Sequence, residues 1–236
     1  MTVLLFGAIL LALGATVAAL GYRARKLAIL EPRPLEPALV WSGGAGAPCT
    51  LLMIGDSHVS RWRTPPPPGW RYARLGFPGE AAINIAGTAR AAIRDATPDA
   101  VLIAVGTNDA SAAALQWRGS GATLRRAADA VDQIILSART AGAKRIFVLS
   151  LVPPRFPEVS RRLIYGARQA AMLSALSGRI AARAEARGAE LIDADGLARD
   201  GKGHFAPELR ADALHWSPAG YEVLSAALRD RLGDCD

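Results

Sequence analysis

Apolar positions along this chain switch between two spacings. Leu51-Leu52-Met53-Ile54, the run from Ala100 to Val105 and the core of Arg145–Val152 are continuous apolar stretches of strand length, each closed by glycine or proline. Unbroken runs of this length suit strands covered on both faces, as in a parallel sheet between helices. Tyr72–Phe77 and Glu190–Asp193 read as two further strands. Elsewhere the spacing becomes three and four. Leu124, Ala127, Val131, Ile134 and Ala138 form one stripe, and Leu173, Leu176 and Ile180 form another, the mark of helices laying one face on a sheet. A helical pattern also runs from Glu80 through Arg94, closed by Pro98, and Ser217-Pro218 opens a last helix as N-cap and first-turn proline. Strand and helix alternate five times, which predicts an α/β domain with a five-stranded parallel sheet.

The front of the chain follows neither spacing. From Thr2 to Leu20 it is apolar and uncharged, long enough at 1.5 Å per residue to cross a bilayer core of roughly 30 Å. With no Lys or Arg before the run and no small-x-small cleavage pattern after it, an uncleaved single-pass transmembrane helix is expected rather than a signal peptide. The expected organisation is an anchor at 1–22, a juxtamembrane basic and Pro/Gly linker at 23–48, of which 31–48 resists helix and strand, and a domain at 49–236. Residues 2–21 would contact the bilayer.

Charge narrows the choice of partners. The net charge is +7, of which Arg23, Arg25, Lys26 and Arg33 against Glu31 hold +3. With no basic, aromatic-interleaved run in the remainder, nucleic acid is not an expected partner. The basic cluster after the span favours a cytoplasmic domain by the positive-inside rule. The two cysteines point the other way. Cys49 precedes the first strand and Cys235 ends the last helix, so in an open parallel sheet a disulfide is geometrically open, although two free thiols are the default. The extracytoplasmic (periplasmic) side is the preferred expectation.

Candidate chemistry sits past the strand ends, where open α/β sheets collect ligands. Ser57 follows the first strand, Gly79 the second and Asn108 the third, and Asp212 and His215 precede the last helix. Gly55-Asp56-Ser57 alone reads as readily as a helix cap. In company the residue types complement one another: a serine hydroxyl needs a base, a histidine needs a carboxylate to fix its tautomer, and an oxyanion needs donors. His58 and His204 with Asp56 show no zinc spacing, so no metal and no cofactor is expected. Trp216, beside the histidine, is a candidate for the site wall, and Arg155, Arg161 and Arg162 form a solvated face or bind an anion. Specificity is expected in the rim loops 60–72, 110–121 and 153–166.

These blocks resemble the SGNH hydrolases, or GDSL-type esterases and lipases, over about residues 49–232. Gly55-Asp56-Ser57 is similar to their first block, Gly79 to the second, Gly106-Thr107-Asn108-Asp109 to the third, and Asp212-Ala-Leu-His215 to the last. The resemblance implies a flavodoxin-like three-layer α/β/α sandwich and a metal-free mechanism. In it Ser57, His215 and Asp212 are catalytic, and Ser57, Gly79 and Asn108 form the oxyanion hole. The implied substrate is an ester of a lipid, an acylated glycan or a small alcohol, with polysaccharide acetyl transfer or a silent binding module as alternatives. His58 stands where the family name has leucine, and Gly76 is a rival for the role given to Gly79.

Overall fold

A computed structural model describes residues 2–154, 163–203 and 205–235, with the side chains of 2–5 and Ala8 also outside it. Arg155, Arg161, Arg162 and His204 therefore lie outside the described residues. Six strands form one mixed sheet: β1 (Val40–Ser42), β2 (Cys49–Gly55), β3 (Trp70–Gly76), β4 (Ala100–Ala104), β5 (Arg145–Leu149) and β6 (Glu190–Ile192), in the order β1-β3-β2-β4-β5-β6. β2 to β6 are parallel, and without β1 their order is the doubly wound, flavodoxin-like 2-1-3-4-5.

The unbroken apolar runs are explained by two covering layers. Successive residues of a strand face opposite sides, and Leu51, Leu52, Met53 and Ile54 are all fully buried. Leu52 and Ile54 join Val101, Ile103, Ile146 and Val148 beneath α3 (Ala82–Ala96), α5 (Ser120–Thr140) and α6 (Arg168–Ala186). Leu51 and Met53 join Leu102, Phe147 and Leu149 beneath α2 (Ser57–Arg61), α7 (Ala194–Leu197) and α8 (Pro218–Leu232). Each fully buried Leu or Ile contributes about 1.5–3 kcal/mol, so a polar residue in β2 would be costly on either face.

Three expectations are corrected. The sheet has six strands rather than five, because Val40-Trp41-Ser42, within the expected linker, pairs antiparallel with β3. This strand owes little to local propensity: Trp41 lies under the Arg71 guanidinium at 4.6 Å, and Val40 pairs with Arg74. Residues 107–114, expected as loop, form helix α4 (Thr107–Ala114), with Ala110, Ala112, Ala113 and Ala114 buried. The default of two free thiols also fails: Cys49 and Cys235 form a disulfide with Cα atoms 5.9 Å apart. Trp70 at the start of β3 donates from Nε1 to the Gly233 carbonyl at 3.2 Å, holding the chain end beside the foot of β2.

The front segment is a helix, α1 (Thr2–Ala28), with Phe6, Leu10, Leu11, Val17 and Leu20 exposed. Among the described residues no helix is long and apolar enough to cross a membrane; the first part of the expected span falls on side chains outside the description. The residues after α1 are strapped to the domain. Asn84 donates to the Ile29 carbonyl at 2.9 Å and accepts from the Arg33 N–H at 3.1 Å, Arg126 donates to the Leu30 carbonyl, and the Arg33 guanidinium pairs with Glu80. Ile29 and Leu30 pack on Ala81 and Ala112.

The disulfide closes nearly the whole domain, with a sequence separation of 186. Closing so long a loop restricts the unfolded chain and is worth about 3–5 kcal/mol. Denaturant unfolding of the oxidised protein and of Cys49→Ala/Cys235→Ala is therefore expected to differ by that amount, with secondary structure unchanged by circular dichroism; equal stabilities would contradict this.

Candidate active site

The β2 strand ends at Gly55, where a side chain would strike the Ala104 carbonyl and Val59. Asp56 then caps α2, its Oδ1 accepting from the His58 N–H at 3.0 Å, and Ser57 becomes the first helical residue. The capping role and the hydroxyl that meets His215 thus fall on different residues. Ser57 Oγ lies 2.9 Å from His215 Nε2, and His215 Nδ1 lies 2.7 Å from Asp212 Oδ2. The other Asp212 oxygen accepts from the backbone N–H groups of Leu214 and His215 at 2.8 and 2.9 Å.

That carboxylate is built to stay ionised. Burial works to raise its pKa, but the N–H groups of Leu214 and His215 and the His215 ring outweigh burial and hold it at about 2. His215 is shifted below an ordinary histidine, first by burial, which outweighs the Asp212 hydrogen bond, and further by the nearby His58. An imidazole kept neutral, with Nδ1 donating to a carboxylate, has its Nε2 lone pair free toward the Ser57 hydroxyl.

Asn108 reaches across to the loop that holds Gly79 and Glu80. Asn108, in the first turn of α4, donates from its amide to the Glu80 carbonyl at 3.1 Å, leaving its second amide hydrogen uncommitted by this bond. Gly79 has φ +84°, open to glycine at low cost, and a side chain there would meet open space. Gly76 does different work: it closes β3 against Ser60, whose backbone a Cβ would strike. Gly79 immediately precedes Glu80, whose carbonyl Asn108 holds. Asp109, which sequence reasoning quoted without a role, is buried, accepts from the Ala82 N–H at 2.9 Å and ties this loop to α4; burial pushes its carboxyl up to about 7.

His58, which the sequence offers only as a rejected metal ligand and a departure from the family name, has a neighbourhood invisible in sequence. It is buried, with Nδ1 2.8 Å from Asp56 Oδ1 and Nε2 3.0 Å from the Leu214 carbonyl. Trp216 is buried against Phe205, with ring centroids 5.1 Å apart, yet it also lines a cavity of about 320 Å³ with Arg61, Arg63, Pro65, Tyr221 and Glu222. Arg61 Nη1 is 4.0 Å from Asp212 Oδ2, which puts this cavity beside the histidine. A larger cavity of about 580 Å³ between α3 and α5 contains none of these residues, so its size says nothing about the chemistry. Trp62 and Trp70 are core residues, whereas Trp117 is exposed.

The GDSL-like lipase/acylhydrolase family matches residues 53–223, most of the chain and every block described above. The chain belongs to this family. It is accordingly an SGNH-type carboxylic ester hydrolase. Among solved structures, it is similar in fold to a GDSL-like lipase from Bacteroides thetaiotaomicron (TM-score 0.63, 17% identity, covering 80% of this chain and 90% of that one). It is also similar to the acetylxylan esterase Axe2 from Geobacillus stearothermophilus (TM-score 0.60, 18% identity, 80% and 96% covered). No curated protein matches the sequence.

With His215 proposed as the base, its neutral form sets the acidic limb of activity. Because the His215 pKa is lowered, its neutral fraction is already above one half at pH 6.5 and falls only below that. For this esterase, kcat/KM toward an uncharged aryl ester is expected to rise with pH to a plateau, with its midpoint below pH 6.5. A midpoint above pH 7 would contradict the environment described for His215.

Proposed function

We propose that this hydrolase cleaves carboxylic esters through an acyl-enzyme on Ser57. Ser57 Oγ attacks the ester carbonyl as its proton passes to His215 Nε2, and Asp212 holds the ring and stabilises the imidazolium. The developing oxyanion is received by the backbone N–H groups of Ser57 and Gly79 and by the Asn108 amide. His215 then protonates the departing alcohol, and a water deprotonated by the same nitrogen releases the acid. The observation that carries this reading is the continuous chain Ser57–His215–Asp212, at 2.9 and 2.7 Å.

The domain is further proposed to sit on a membrane through α1, at residues 2–21, as a single-pass protein facing an oxidising, extracytoplasmic compartment. The Cys49–Cys235 disulfide supports that side, against the pull of Arg23, Arg25 and Lys26. For the alcohol component, the fold likeness to an acetylxylan esterase favours O-acetyl groups on a polysaccharide as a second reading of the same residues. Release of acetate from acetylated xylooligosaccharide, compared with aryl acetate, separates the two.

The chain with residues 1–48 retained is the right test object, since the strap at Ile29–Arg33 belongs to the fold. Ser57→Ala is expected to lose esterase activity by more than about 1000-fold. Asn108→Ala is expected to lose about 100- to 1000-fold in kcat, as for one oxyanion donor. Undiminished turnover by Ser57→Ala would overturn the nucleophile assignment.

A further inference from the structure

The residue after the proposed nucleophile has a set of contacts that the reaction above does not use. His58 presents Nδ1 to Asp56 Oδ1 at 2.8 Å and Nε2 to the Leu214 carbonyl at 3.0 Å. A carbonyl only accepts, and a buried carboxylate accepts, so a neutral ring would set one nitrogen lone pair against an oxygen lone pair. With Asp56 as a carboxylate, both nitrogens carry protons, and the ring lies next to that of His215. The His58 and His215 ring centroids are 5.5 Å apart.

The peptide groups around Leu214 are held at both ends. Its N–H and that of His215 bond to Asp212, while its carbonyl bonds to His58. Tyr221 from α8 donates to the His58 carbonyl at 2.9 Å, fixing the backbone that carries both Ser57 and His58. We propose that His58 is a positioning residue for the catalytic cycle: paired with Asp56, it clamps the Leu214 carbonyl and thereby sets where His215 stands relative to Ser57. This inference rests on the Ser57–His215–Asp212 reading.

A second effect follows from charge. His58 opposes the protonation of His215, while Asp56 opposes that of neither ring. The other groups facing this pair are Arg61 on α2, which acts in the same sense as His58, Asp212 on the loop before α8, which acts against it, and the Tyr221 hydroxyl. His58 itself is held above an ordinary histidine: burial pulls it down, but the Asp56 charge and hydrogen bond and the Leu214 carbonyl outweigh burial. The two rings are thus shifted in opposite directions, His58 up and His215 down.

His58→Leu removes both clamp and charge, whereas His58→Gln keeps a donor and removes the charge. In His58→Leu, kcat is expected to fall about 10- to 100-fold, as for a small displacement of a catalytic group, with KM little changed. The acidic limb of kcat/KM is expected to move to higher pH in both variants, and His58→Gln should recover part of the lost kcat without restoring the limb. A merely structural residue would lower the folded fraction without moving the limb. Should His58→Leu not fold, the limb of His58→Gln decides. The chain has three histidines, so ring-nitrogen NMR at pH 7 reads His58 directly: two protonated nitrogens are expected. A neutral His58 ring, or a wild-type limb in His58→Gln, would overturn the proposal, even while an inactive Ser57→Ala leaves the nucleophile assignment intact.

Discussion

An imidazole with a carboxylate on one nitrogen and a hydroxyl on the other is the arrangement on which the rest of this site depends. It works only if the carboxylate stays ionised and the ring stays neutral. Asp212 meets the first demand by accepting two backbone N–H bonds from the loop it begins, which also folds that loop into the turn that carries His215. Burial meets the second. One short stretch, Asp212 to His215, thus supplies the proposed base, its orienting carboxylate and their scaffold, and the Ser217 cap of α8 anchors its far end by accepting from Gly220.

The sheet delivers Ser57 to that imidazole. Parallel strands with right-handed crossovers send every strand-to-helix turn to one edge, and Gly55 and Gly76 let β2 and β3 end tightly enough for α2 to lie between the sheet and α8. On the other side of the site, the loop at Gly79 and Glu80 is held from within by Asn108 and Asp109 and from outside by Arg33 and Asn84. The segment after α1 is thus bonded to the loop proposed to stabilise the oxyanion, so whatever holds α1 also bears on the site.

Much of the fold was legible because burial on two faces leaves a plain signature. Leu51 to Ile54 and Ala100 to Val105 could not be amphipathic helices of useful length, and the stripes from Leu124 and Leu173 could not be strands. β1 was not legible: three residues between Pro37 and Gly43 have no periodicity, and their pairing comes from β3 and Arg71. The disulfide carried no spacing pattern, since its partners meet only once β2 and α8 are placed. The site was legible in its residue types, because serine, histidine, aspartate and asparagine each followed a strand or preceded a helix. His58 was not, since its meaning comes from a carbonyl 156 positions away. Gly79 and Gly76 differ in what a Cβ would meet, which no spacing shows.

The central claim is that Ser57 is the atom-level origin of turnover, activated by His215. Incubation of the enzyme with a fluorophosphonate, followed by peptide mass spectrometry, tests it most directly. The account requires one covalent adduct, on Ser57, appearing in step with the loss of esterase activity and slowed by His215→Ala. An adduct on another residue, or full inactivation with Ser57 unmodified, would contradict it.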